Sequence, residues 1–449
     1  MTEVICNDTN IHSQTFDTSV TQATKREALL VGHNLSLMLL IPQLLSRAGF
    51  VVDVVSTAKG ARRLQPIRQL YTAFDDKELL AIAADLSSQD YDLVVIGDDH
   101  ALREIVQSDL SNEIKLKLLP VCSVENFKHI GTKIGLSQVF EEMGVCTPAF
   151  QVANNTHELQ SMLDRTTYPL ILKIDFSGGG AGICTYSPKA VSTSPNALAS
   201  NSDTKSVNYA LNNDLLNSNP LNAYTRKALT YPLLVQKFIH GDLLDLSGFF
   251  QNGNLVHFSY SRVVDVISNA FGLSSVRRYQ QLATVPAQLF DLMRHFGQTL
   301  GAHGFVCVSC LHEPGEQADR DKYYFVEADM RPTTWADYAR YFGDDPAIAI
   351  NRYFEHGHTL SYPQPLPTDY PAEQLIPFVY RLNVFEVLTN RYHVWSYCEG
   401  FSKIDILRYL AGNSVRRFKQ CACQHIKPRI SPANWERMRL VWRTLFDLS

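Results

Sequence analysis

The sequence predicts an α/β protein that opens with a Rossmann-like parallel sheet and ends in a small, mainly helical extension. Two observations predict it: strand and helix patterns alternate from Glu27 onward, and apolar runs of strand length end in Gly- and Asp-rich loops. A third is length, because 449 residues exceed the roughly 100–200 of one domain.

The first unit, 25–123, reads as strand Ala28 to Val31, helix Ser36 to Ala48 and strand Val51 to Val55. A further buried strand, Tyr91 to Ile96, opens into Gly97-Asp98-Asp99-His100. Ligands of open parallel sheets bind at such carboxyl ends, and helix capping by the two aspartates is the alternative. Gly32-His33-Asn34 after the first strand lacks the three-glycine dinucleotide fingerprint.

A second unit spans 124–362. Its helix Lys133 to Met143 is closed by Gly144, and a short strand follows near Phe150. After a helix at His157 to Asp164, the strand Leu170 to Ile174 leads into Gly178, Gly179, Gly180 and Gly182, with a strand at Ile183 to Tyr186. The Ser- and Asn-rich stretch 191–222 reads as a mobile insertion in a lid of about 145–235. Tyr231 to Phe238 is a strand, Phe249 to Ser261 a hairpin around Asn252-Gly253, and Pro286 to His303 a helix before strands Phe305 to Leu311 and Tyr323 to Glu327. Pro363-Gln364-Pro365 marks the boundary to the extension, 363–449.

Composition excludes several classes of function. The net charge of -4 without a Lys/Arg block gives no reason to expect nucleic acid, and no apolar stretch reaches the ~20 residues of a membrane span. Residues 1–24 read as a disordered tail and not a signal peptide, and nine scattered cysteines read as reduced thiols, so a cytoplasmic location is expected.

Clustered glycines between two strands let backbone N–H groups approach a phosphate closely, although glycine-rich hairpin turns are common. Lys173 in the apolar Leu170-Ile171-Leu172-Lys173-Ile174 needs an anionic partner unless it faces solvent from an edge strand. In Phe325-Val326-Glu327-Ala328-Asp329-Met330-Arg331-Pro332, alternation puts Glu327, Asp329 and Arg331 on one face. Paired carboxylates suit magnesium bridging to phosphates, and Arg331 would neutralise a transferring phosphoryl group; an ion pair among these residues is the alternative. Cys307 and Cys310 point to opposite faces of a strand and read as buried free thiols, and Cys421, Cys423 and His425, with no fourth ligand evident, do not read as a metal site. Arg277 and Arg278 read equally as an anion clamp and as a solvated loop.

In order and spacing, Glu27 to Glu355 resembles the ATP-grasp superfamily, which includes D-alanine:D-alanine ligase, biotin carboxylase and carbamoyl-phosphate synthetase. Lys133, eleven residues before Gly144-Val145-Cys146-Thr147-Pro148, resembles the first phosphate-binding residue, Lys173 the second, and Gly178 to Gly182 the phosphate lid. Gln236-Lys237-Phe238-Ile239-His240-Gly241 resembles the adenine-binding hinge, and Glu327-Ala328-Asp329-Met330-Arg331-Pro332 resembles the "E-x-N-x-R-P" metal strand. The sequence departs from the pattern at Gln236 for glutamate, Leu243 where the ribose-binding acid falls (Asp242 or Asp245 would substitute), Ser309 for the first metal carboxylate and Asp329 for asparagine. The resemblance implies ATP with magnesium (manganese as a substitute), a small-molecule carboxylate and an amine as substrates, an acyl phosphate intermediate, and a homodimer as in many relatives. Two other readings stay open: an ATP-binding regulatory protein that has lost catalysis, and a biotin-carboxylase-like carboxylase, for which no biotin-accepting "M-K-M" motif is present.

Overall fold

The structure is a computed structural model that describes residues 25–177, 182–188, 230–266, 273–315, 321–360, 371–378, 381–382 and 384–397. Residues 1–24, Gly178, Gly179 and Gly180, the insertion 191–222 and Cys421, Cys423 and His425 lie outside these.

Four parallel strands form the first sheet in the order β3-β2-β1-β4: β1 (Arg26–Gly32), β2 (Phe50–Ser56), β3 (Gln69–Thr72) and β4 (Leu93–Ile96). Alternation along β1 sends Ala28 and Leu30 into one core and Leu29 and Val31 into another, as a strand covered on both faces requires. The expected helix Ser36 to Ala48 is two helices, α1 (Leu35–Met38) and α2 (Ile41–Arg47). Pro42 explains the break: it has no N–H for the Met38 carbonyl, so the helix restarts with proline in its first turn. Three further helices follow: α3 (Asp76–Leu86), α4 (Asp99–Gln107) and α5 (Asn112–Leu118).

A six-stranded antiparallel sheet forms the body, ordered β13-β12-β9-β10-β11-β14. Its strands are β9 (Asp242–Gln251), β10 (Asn254–Val266), β11 (Ser274–Gln280), β12 (Gly304–Glu313), β13 (Lys322–Asp329) and β14 (Glu373–Pro377). The β9–β10 turn is Asn252-Gly253, with φ of 49° and 80°, the left-handed pair that a two-residue hairpin needs. β14 lies past the Pro363-Gln364-Pro365 boundary and adds a strand to the central sheet, and its Ile376 shares a core with Val276, Trp335 and, from the C-terminal segment, Val387 and Val394.

The third sheet is small and antiparallel, β5 (Phe150–Ala153), β8 (Leu233–Lys237), β6 (Leu170–Ile174) and β7 (Ile183–Tyr186), in the order β5-β8-β6-β7. Helix α7 (Thr156–Arg165) closes its separate core through Leu159 and Leu163. Helix α6 (Lys133–Glu142) leads into this sheet, while α8 (Ala287–Leu300) covers the body and α9 (Pro346–His356) joins the core shared with the parallel sheet. Helix α10 (Val384–Leu388) follows β14. No helix among the described residues is long and apolar enough to cross a membrane.

Candidate functional site

Three distant segments bring their charged side chains to the face of β13. Helix α6 is anchored there by Phe140 against Phe325, with ring centroids 5.6 Å apart. Its start is fixed by Asp175 at the end of β6, which accepts from the Thr132 hydroxyl and from the Ile134 N–H at 2.9 Å. Lys133, the first helical residue, thus places Nζ 2.9 Å from Glu327 Oε1 and also donates to the Ser177 carbonyl. Lys173, buried on β6, reaches the Val326 carbonyl of β13 at 3.3 Å. The alternative of an edge-strand lysine facing solvent is therefore not found.

Burial shapes the charge of this cluster. It pulls the Lys173 ammonium down to about 8, helped by neighbouring Lys133 and opposed by Glu327. For Lys133, Glu327, Asp329 and Asp99 outweigh burial and raise the pKa. Glu327 is half-buried, and Lys133, Lys173 and Arg331 outweigh its desolvation and hold its carboxyl below the usual range. Asp329 is pushed up to about 7 by burial, with Asp99 and Glu327 adding to it and Arg331 opposing. The cluster is thus short of positive charge at Asp329. Arg331 links two elements, donating from Nη2 to Asp99 on α4 at 2.6 Å and to Asp329 at 3.1 Å; its Nε is buried without a hydrogen-bond partner among the described residues.

Glu327 and Asp329 line two cavities. One, about 270 Å³, lies between the small sheet and the body and is lined by Gln236, Phe238, Ile239, Lys173 and Arg331. Gln236 is 1% exposed; its Nε2 donates to Ser137 at 3.4 Å, whereas Oε1 has no partner among the described residues. The other cavity, about 500 Å³, reaches the carboxyl edge of the parallel sheet and is lined by His33, Asp99, His100 and Lys133.

Two further expected residues differ in placement. Asp242 does not line the cavity; it pairs with Arg262 at 2.8 Å. Lys237 lines the cavity's rim from an exposed position, its ammonium 5.5 Å from the Tyr168 ring centre. Gly182 has φ of 70°, and a Cβ there would meet Ile174 at 2.9 Å, so only glycine fits the turn.

Asp245, three residues further along β9 and so on the opposite face from Asp242, faces the cavity and holds Arg277 as an ion pair. Ser309, opposite Glu327 in the strand pairing, donates to Asp245 at 3.0 Å. Asp245 thus brings a carboxylate beside the serine, from the neighbouring strand. Arg277 resolves the open choice for the arginine pair: it is buried on β11, stacks 4.5 Å from the Trp335 ring and leaves Nη1 unpartnered among the described residues, whereas Arg278 faces outward toward Glu373. Alternation of Arg277 and Arg278 along a strand was the available signal, hidden because β11 carries no apolar run.

Cys307 and Cys310 are both buried free thiols, Cys307 on the cavity side and Cys310 in the core. Asp98 caps α4 by accepting from the Ala101 N–H at 3.0 Å, while Asp99 turns to Arg331.

A small antiparallel sheet that carries Lys173 faces a larger one that carries Glu327 and Asp329, with a cavity between them. This arrangement is the ATP-grasp fold. The chain superposes on N5-carboxyaminoimidazole synthetase from Staphylococcus aureus complexed with ADP at TM-score 0.57 and 12% identity, covering 82% of this chain and 86% of that one. For L-amino acid ligase from Bacillus licheniformis the TM-score is 0.52 at 13% identity, covering 82% and 85%. The biotin carboxylase domain of Hydrogenobacter thermophilus 2-oxoglutarate carboxylase, in complex with MgADP, ADP and bicarbonate, gives 0.50 at 15% identity, covering 78% and 73%. No protein-family model matches the sequence, and no curated protein does.

Proposed function

We propose that this protein is an ATP-dependent ligase, which phosphorylates a small-molecule carboxylate and couples the acyl group to an amine or related nucleophile. The observation that carries the reading is the convergence of Lys133, Lys173 and Arg331 with Glu327 and Asp329 on two adjoining cavities. The smaller cavity fits a nucleotide by its chemistry. Gln236 offers a buried, unsatisfied amide oxygen to an adenine amino group beside the apolar Phe238 and Ile239, and Lys173, which lines the same cavity, suits phosphate oxygens.

Magnesium fits Glu327 and Asp329, two carboxylates whose neighbours leave Asp329 under-neutralised. When bound, it would supply charge neutralisation on the phosphates. The chain's own residues do the positioning. Lys133 and Lys173 hold phosphate oxygens, and Arg331 balances charge that builds on the transferring group. Arg277, with a buried Nη1 unpartnered among the described residues and in the lining of the same cavity, suits the acceptor carboxylate. That carboxylate attacks the γ-phosphorus, ADP leaves, and the amine displaces phosphate from the acyl phosphate.

The test is ADP release by the full chain with pools of amino acids and small carboxylic acids, followed by mass detection of a dehydrated condensation product. Stimulated turnover that Glu327→Gln reduces by about a hundredfold or more supports the reading; no stimulation by any pool overturns it. A nucleotide-binding protein without catalysis is the second reading, favoured by Ser309, whose hydroxyl stands opposite Glu327 where the fold relatives' pattern has an acid. It predicts ATP-induced thermal stabilisation with no hydrolysis.

A further inference from the structure

Three side chains that the proposed reaction does not use meet at the carboxyl edge of the parallel sheet. His33 follows β1, Asp76 opens α3 and His100 lies in the first turn of α4. One ligand atom of each lies within 4.8 Å of the other two. His100 Nε2 is 3.1 Å from Asp76 Oδ2, His33 Nδ1 is 3.7 Å from Asp76 Oδ1, and the two imidazoles pack edge to face at 4.5 Å.

An ordinary ion pair needs one imidazole for one carboxylate; here two share it, supplied by the loop after β1 and the first turns of α3 and α4. The position of His33 is set by its surroundings. Asp98 accepts from the backbone N–H of His33 at 2.5 Å and of Asn34 at 2.8 Å, and Thr57 Oγ1 lies 2.7 Å from His33 Nδ1. Contacts of this kind orient imidazoles that ligate metals. His33 is nevertheless one partner short: Nε2 is buried and has no hydrogen bond among the described residues. Both imidazoles line the 500 Å³ cavity, which leaves room for water or a ligand atom beside them.

We propose that His33, Asp76 and His100 bind one divalent transition-metal ion of the zinc type, completed by water or by a ligand in the larger cavity. Two imidazoles and a carboxylate are the donor set of three-ligand zinc and related transition-metal sites, and a poor match for magnesium, which takes oxygen donors. The site is separate from Glu327 and Asp329 in donor chemistry and in the elements that carry it, so it stands or falls independently of the ligase reading. The ion would sit on the cavity that those acids also line, where a second substrate would meet it.

The experiment uses the full chain without a polyhistidine tag, stripped by chelator and titrated with Zn2+ by calorimetry and with Co2+ by visible absorption. One equivalent is expected for the parent protein. Affinity should fall at least tenfold in His33→Gln and in His100→Gln, and less in Thr57→Val, which removes only the orienting contact. Thermal melting without metal establishes that each variant is folded. Binding that persists in the double variant His33→Gln/His100→Gln, binding lost instead in Glu327→Gln, or no stoichiometric Zn2+ binding at all each overturns the assignment.

Discussion

Replacing Asp329 by asparagine should stabilise the metal-free protein above neutral pH. Burial, Asp99 and Glu327 raise its carboxyl from 3.8 to about 7, against the pull of Arg331. Its folded pKa therefore lies above its unfolded value, and between those two values the folded state binds more protons. Stability contributed by this residue is then present at low pH and lost as pH rises through about 4 to 7. A shift of about three units corresponds to roughly 4 kcal/mol at 1.36 kcal/mol per unit. Because 31% of the side chain remains in solvent, screening brings the expected effect to about 2 kcal/mol. Asparagine keeps an oxygen that can accept from Arg331 and carries no charge to desolvate. Thermal melts in chelator from pH 4.5 to 8.5 should show the Asp329→Asn advantage growing toward pH 7 and then levelling, while added Mg2+ should stabilise the parent more than the variant. Equal melting at pH 8, or an advantage independent of pH, would refute the charge deficit on which the magnesium reading rests.

Removing Arg277 should be costly for a different reason. Arg277→Met leaves Asp245 buried with the neutral Ser309 hydroxyl as donor in place of a cation, so a loss of about 3–5 kcal/mol is expected in denaturant melts, and the double variant Arg277→Met/Asp245→Leu should recover much of it. Gly253→Ala places a side chain at φ of 80° against the Gly297 carbonyl at 3.3 Å, and should lower stability by about 1–2 kcal/mol without altering nucleotide affinity, measured by calorimetry.

Much of this architecture is local and was legible along the chain. Leu170 to Ile174 and Ile183 to Tyr186 read as strands with the bounds that the structure has, because apolar periodicity and the glycine turn between them are short-range properties. Asn252-Gly253 identified the β9–β10 hairpin for the same reason. The alternation Glu327, Asp329, Arg331 put one acid pair and one guanidinium on a common face before any fold was known. What the reading missed is equally instructive: β3, β11 and β14 are short or polar strands whose register comes from neighbours, and Pro42 split a helix whose apolar pattern alone looked continuous.

By itself the sequence determined which residue types stand on each strand and in what order, because backbone periodicity requires no distant partner. Only the tertiary structure decided who meets whom: that Asp245 and not Asp242 faces the cavity, that Arg277 is buried while Arg278 is not, and that His33, Asp76 and His100 share one corner. Charge state followed from that meeting as well. The same aspartate titrates near its usual value in water and about three units higher at position 329, since burial and neighbouring charge are set by folds of the chain far apart in sequence.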